Sequence, residues 1–181
     1  MSTILQTESV ILRRWRASDR EPFRKINADP RVMEFFPSTL SAAESDLLLE
    51  RIEQHFAAHG FGLWATETLE DQSFVGYIGL AVPRFQAAFM PCVEIGWRLA
   101  AVHWGRGLAT EGAREVVRYA FQELKLPSLV SFTVPANVRS RRVMEKLGMT
   151  HNPADDFDHP NLPPGHPLRR HVLYRLQNPR L

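Results

Sequence analysis

The sequence predicts a mixed α/β fold with a central sheet, in one domain spanning residues 1–181. Two observations carry this. Segments with apolar residues at helical spacing alternate with segments rich in aromatic and β-branched residues, and their order is strand, two helices, three strands, helix, strand, helix, strand. The chain is also long enough, and at 44% hydrophobic and 23% charged ordinary enough, to bury a core without disulfide or metal staples.

Residues 10–15 form a short apolar and basic run that reads as the first strand, and Ser18 or Asp19 caps a helix carrying Phe23 and Ile26. Ser41 and Glu44 have the capping-box spacing, and Leu48, Ile52 and Phe56 recur every four residues until Gly60 ends a second helix. Residues 62–68, 74–82 and 92–100 read as three consecutive antiparallel strands, the first two joined by the turn at 70–72. After Gly107 the residues Ala109, Ala113, Val116, Val117, Ala120, Phe121 and Leu124 make one apolar helical stripe. A strand at 129–134, a helix at 137–147 ended by Gly148 and a last strand at 170–176 complete the pattern. The Pro- and Asp-rich stretch 152–167 reads as a long ordered loop rather than a linker.

Composition narrows the function. Cys92 is the only cysteine, which rules out an intramolecular disulfide and a thiolate zinc cluster and fits a reducing compartment. With Gln6 and Glu8 near the start and no apolar run approaching about 18 residues, neither export nor membrane spanning is expected, so the expected location is the cytoplasm. The net charge is only +2, yet between Arg98 and Lys146 nine basic residues stand against four acidic ones. A positive field of that extent suits a small polyanionic ligand better than a nucleic acid. The run His151, Asp155, Asp156, Asp158, His159, His166 lacks metal-ligand spacing, and no metal is expected.

The most informative stretch is Trp104-Gly105-Arg106-Gly107-Leu108-Ala109-Thr110, two glycines and a small residue between a strand and a helix. Such a loop is either a plain turn or a cradle whose inward N–H groups, with the helix N-terminus, hold a pyrophosphate. It is neither a Walker loop nor a dinucleotide fingerprint. A second patch, Asn137 to Met149, follows the next strand and carries Arg139, Ser140, Arg141 and Arg142.

Together these two patches resemble the Gcn5-related N-acetyltransferase superfamily. In its branch similar to the ribosomal-protein N-terminal acetyltransferases, the form Trp-Gly-Arg-Gly-x-Ala-Thr-Glu stands where other members have Gln or Arg, as Trp104 does here. Leu12-Arg13 with Trp15 and Asp19, Asp29-Pro30 with Val32-Met33, and Glu94-Ile95-Gly96-Trp97 fit the same branch, so the resemblance covers nearly the whole chain. It implies a mostly antiparallel, twisted sheet of about six to seven strands flanked by helices. It also implies transfer of an acetyl group from acetyl-CoA to a primary amine, a small molecule or a protein N-terminus, without a metal.

The resemblance gives the residues roles. Trp104, Gly105, Arg106, Gly107, Leu108, Ala109 and Thr110 would hold the pyrophosphate. Ile95, Gly96, Trp97, Arg98 and Leu99 would pair their backbone with the pantetheine arm, Gly96 allowing a bulge or a close approach. Asn137 would lie beside that arm, and Arg142 with its neighbours would meet the adenosine 3′-phosphate. Glu94 is either a salt-bridged strand residue or the general base for the amine. Many relatives place a Tyr seven residues after the Asn to protonate the thiolate; Met144 stands there, and Ser140 is either the substitute donor or a helix-capping serine. Phe35 and Phe36 would border the acceptor site opposite residues 155–166. A different class, a catalytically silent acyl-CoA-binding module, shares all the cofactor features, and the sequence leaves the acceptor amine and the choice between monomer and homodimer open.

Overall fold

The structure, a computed structural model, describes residues 4–179. Strands β1 (Leu5–Gln6) and β2 (Val10–Arg13) lead into helices α1 (Arg20–Ala28) and α2 (Ala42–His59). Strands β3 (Leu63–Thr68), β4 (Phe74–Ala81) and β5 (Glu94–Leu99) follow, then α3 (Leu108–Gln122), β6 (Ser128–Thr133) and α4 (Val138–Lys146). The short β7 (Thr150–His151) and β8 (Phe157–Asp158) precede the long β9 (Arg170–Gln177). The expected helices and six main strands are all present; the three additional strands are two-residue pairings too short to leave a periodic signal.

The sheet runs in the order β1-β2-β3-β4-β5-β6-β9-β7, with β8 paired to the far end of β9. Every pairing is antiparallel except β5 with β6, which are parallel and joined at one residue pair, Glu94 with Val130. Beyond Glu94 the two strands part. The sheet is thus two antiparallel halves, β1 to β5 and β6 with β9 and β7, meeting at one point.

Sequence chemistry sets several joints. Ser41 and Glu44 cap α2 reciprocally, and Gly60, at φ 76°, ends it in the left-handed conformation. Asp19 sits at the N-cap of α1, but its carboxylate does not cap. It accepts from the Arg13 guanidinium at 2.7 Å, and the same guanidinium meets Glu67 at 2.6 Å, all three nearly buried. The indole of Trp15 donates to the Leu63 carbonyl at 2.7 Å. The pattern around Leu12 to Asp19 therefore ties the first strand to α1 and β3. Gly96 carries no bulge: β4 and β5 stay in continuous register from Gly76–Leu99 to Ala81–Glu94, and the register shift lies instead between Thr66 and Glu67.

Register also decides which side chains share a face. Tyr77, Gly79 and Ala81 stand opposite Arg98, Gly96 and Glu94. Val130 pairs with Glu94, Phe132 lies two residues on and faces Leu173, and His171 lies two before Leu173. By the two-residue period of a strand, Glu94, Gly96, Arg98, Phe132 and His171 belong to one face, the one α1 covers through Phe23 against Tyr77. The other face belongs to α3: a Cβ on Gly112 would stand 2.5 Å from Ile78 Cδ1, so glycine lets the helix lie this close without displacing that side chain.

Candidate active site

A cavity of about 920 Å³ occupies the gap where β5 and β6 part. It is lined from one face by Glu94, Gly96, Arg98, Phe132 and His171 and from the other by Trp97, Leu99, Ser131 and Thr133. Among the described residues the edge of β5 beyond Glu94 has no strand partner on this side, so Gly96, Trp97, Arg98 and Leu99 border the cavity. Ile95, expected beside them, is fully buried in the core and does not line the cavity.

One end of the cavity is the glycine loop. Gly105 and Gly107 adopt φ 78° and 82°, and a Cβ on either would meet nothing within 4 Å. These glycines serve backbone conformation and leave open space above the loop, while Gly107 starts α3 as its N-cap. Gly105, Gly107, Leu108, Ala109 and Thr110 line the cavity, a cluster of N–H groups at the positive end of a 15-residue helix. The Arg106 side chain does not join them: it turns outward to Glu70 at 3.0 Å. Trp104 lines the cavity but also braces it, its indole donating to the Leu99 carbonyl at 2.9 Å.

Helix α4 forms a second wall. Asn137 caps it, accepting from the Ser140 N–H at 3.2 Å and donating to Thr133 Oγ1 at 3.0 Å. This use of both amide ends makes Asn137 the anchor of α4 on β6. Ser140 lines the cavity, half-buried, and its hydroxyl makes no hydrogen bond among the described residues. Val143, Arg142 and Lys146 continue the wall, whereas Met144 is in the core at 1% exposure and reaches no part of the cavity. Arg139 crosses the mouth, pairing with Glu34 at 2.7 Å and stacking 4.4 Å over Trp104.

The other end is lined by Val32, Phe35, Phe36 and Pro37, and across from them by His159, Asn161, Leu162 and Leu168. Residues 152–169 are held in place by ion pairs of Asp155 with Arg175 at 2.8 Å and of Asp158 with Arg169 and Arg170, and by a hydrogen bond between His151 and Asp156 at 2.7 Å. The acidic and histidine side chains of this run are thus mostly committed to fastening the loop, and among the described residues no group of three or more metal-type ligands forms.

Glu94 stands between the two ends. Among the described residues it has no ion pair or hydrogen bond, and burial in the cavity pushes its carboxyl up to about 8. Burial likewise lowers His171 and His159, whose rings lie 5.1 Å apart. The Cys92 thiol, pushed up to about 11 chiefly by burial, is a poor nucleophile at neutral pH. His171, Tyr77 and Arg51 join the site without any sequence signal, since they come from distant segments that only the fold brings together, whereas His159 lies in the stretch 155–166 expected to border the acceptor.

Residues 9–150 match the acetyltransferase (GNAT) domain family. The chain belongs to that family. This GNAT chain is an acetyl-CoA-dependent N-acetyltransferase. It is 33% identical over 180 residues to the FsC-acetyl coenzyme A-N(2)-transacetylase of Aspergillus fumigatus, covering 88% of this chain and 73% of that one. The crystal structure of the acetyltransferase from Agrobacterium tumefaciens superposes with a TM-score of 0.77 at 27% identity, over 97% of this chain and 94% of that chain. Mycobacterium smegmatis RimJ in complex with CoA-disulfide has the same fold, with a TM-score of 0.74 at 19% identity over 99% and 88% of the two chains. No helix among the described residues is long and apolar enough to cross a membrane.

Proposed function

We propose that this enzyme transfers the acetyl group directly from acetyl-CoA to a primary amine, with the reacting atoms between Glu94 and Ser140. The observation that carries this reading is the single cavity joining the glycine loop, the unpaired edge of β5, the partnerless carboxyl of Glu94 and the free hydroxyl of Ser140. The pyrophosphate lies on Gly105 to Thr110, the pantetheine amides pair with the β5 edge, and Arg142 with Lys146 meets the 3′-phosphate. Two relatives support the chemistry: the Aspergillus protein is named for transacetylation at N2, and the Mycobacterium structure holds a CoA derivative.

In the reaction the acceptor ammonium gives one proton to the Glu94 carboxylate, directly or through a water, and its nitrogen attacks the thioester carbonyl. A backbone N–H of residues 94–97 polarises the carbonyl oxygen. As the C–S bond breaks, Ser140 protonates the sulfur and is itself reprotonated by the nitrogen's second proton, giving amide and free CoA. Phe35, Phe36 and Pro37 face His159, Asn161 and Leu162 across the acceptor's path. A silent acyl-CoA-binding module would have no use for a half-buried, partnerless carboxyl in the cavity, an arrangement typical of catalytic sites. Incubation with acetyl-CoA and pooled primary amines tests the proposal: free thiol appears if transfer occurs, whereas tight CoA binding with no thiol from any amine identifies the silent module.

A further inference from the structure

The acceptor end contains a charge that the transfer reaction does not use. Arg98 lies on the same sheet face as Glu94, lines the cavity, and is 8% exposed. Its guanidinium donates to Asn27 Oδ1 at 2.7 Å, and Asn27 in turn donates to Ser45 at 2.9 Å. Phe36 and Tyr77 flank it, with the guanidinium carbon 4.2 Å and 5.5 Å from their ring centroids. Its Nε is buried with no hydrogen-bond partner, and among the described residues no carboxylate lies within ion-pair distance.

Aromatic faces soften the cost of a buried cation, but they satisfy none of its N–H groups. A buried guanidinium ordinarily has an anion beside it, because desolvation otherwise costs several kcal/mol. The other buried arginine among the described residues, Arg13, follows that rule with Asp19 and Glu67. Arg51, exposed at the cavity wall, also meets no carboxylate among the described residues, its Nε donating only to the Leu47 carbonyl at 3.2 Å. The cavity's acceptor end thus offers two unpaired cations and one carboxyl, Glu94.

Resting on the proposed transfer reaction, we infer that the acceptor is an amino-carboxylate, its amine received at Glu94 and its carboxylate at Arg98. Spacing supports this. Between the two residues lies Gly96, where a Cβ would come 3.8 Å from Glu94 Oε1, so the Glu94 carboxyl leans over Gly96 toward Arg98. One two-residue strand repeat, roughly 7 Å, then separates it from the arginine's position. A short molecule with amine and carboxylate a few bonds apart lies along that stretch, and the missing side chain at Gly96 leaves room for its body. The planar donor fork of arginine suits a carboxylate better than a hydroxyl or an amide.

Two measurements test this. In the first, the Arg98 Nε–H signal, assigned in a ¹⁵N NMR spectrum by its loss in Arg98→Lys, is followed with CoA present while N-acetylglycine or N-acetylglycinamide is added. The carboxylate probe should move the signal and the amide should not; equal response to both, or to neither, overturns the inference. In the second, thiol release is measured for the common L-amino acids and for their carboxamides. Wild type should favour carboxylates by at least about tenfold in kcat/KM, and Arg98→Gln should erase that preference. If amides react as well as carboxylates, the anion site is wrong and the transfer chemistry stands. If the NMR signal responds but no amine of any kind is acetylated, the transfer reading fails and the anion site stands. A preference that survives in Arg98→Gln would make Arg98 only a strut for Phe36 and overturn the inference.

Discussion

The end of the cavity at Gly105 to Thr110 is walled largely by main chain, whereas the end at Glu94 and Arg98 is walled by side chains drawn from segments as far apart as Val32 and His171. The first end needs only a conformation: two positive-φ glycines and a helix start. The second needs identities, held in register by the sheet. A phosphate group is the same in every acetyl-CoA, so a backbone cradle can be generic, while an acceptor must be distinguished from other amines by its side-chain environment.

The largest expected effect tests the side-chain end where it meets the cofactor. Ser140→Ala should lower kcat by roughly 10²-fold, with acetyl-CoA affinity changed by less than about 1 kcal/mol. Affinity lost with kcat preserved would make the hydroxyl a pantetheine contact instead. Met144→Tyr is not expected to restore the proton donor, because residue 144 points into the core.

Glu94→Gln is next. With burial pushing the carboxyl up to about 8, kcat/KM should climb about tenfold per pH unit below that value and level off above it. The variant should lose this inflection and fall furthest behind wild type above pH 8, by roughly 10²-fold. The same shift has a stability consequence. The folded-state value lies above the ordinary 4.5, so the folded chain keeps a proton that the unfolded chain gives up. Stability contributed by the neutral carboxyl is therefore present below 4.5 and is lost as pH rises toward about 8. Thermal melts should show that loss in wild type and a flatter profile in Glu94→Gln.

Two smaller effects separate backbone from side chain at the phosphate end. Gly107→Asn, which tolerates the left-handed conformation but fills the space above the loop, should weaken acetyl-CoA binding about tenfold with little change in Tm. Gly107→Val would cost stability as well, because a β-branched residue is strained at φ 82°. Arg106→Ala should be mildest, changing affinity less than about threefold and stability by less than about 1 kcal/mol, since its salt bridge to Glu70 is exposed. Titration of each variant with acetyl-CoA, alongside a melt, decides both points.

The same division explains what the sequence disclosed. The glycine loop, the capped α4 and the position of Glu94 were legible because each is local, a few residues whose types already imply a turn, a cap or a strand face. Ser140 as a site residue came only from the family resemblance, since by its own spacing to Asn137 it was equally a capping serine. Arg106 misled, because which way a surface arginine turns depends on Glu70, a residue 36 positions away. His159 was legible only as part of the stretch 155–166 and His171 gave no signal, since their meeting requires β8 and its loop to fold back on β9. Arg98 was legible as a position on β5, but its burial between Phe36 and Tyr77 was not.

The single pairing of Glu94 with Val130 has a further consequence for how the molecule holds together. A sheet normally resists shear through a continuous ladder, and here the ladder is interrupted down its middle, leaving the hydrophobic layers beneath to carry the joint. A pantetheine arm lying along β5 would act as a temporary strand, supplying hydrogen bonds that the polypeptide omits. The substrate then contributes to the cohesion of the fold it reacts in, by an amount that grows with the logarithm of its concentration. Such an enzyme is most resistant to opening while charged with acetyl-CoA and loosens once the product departs.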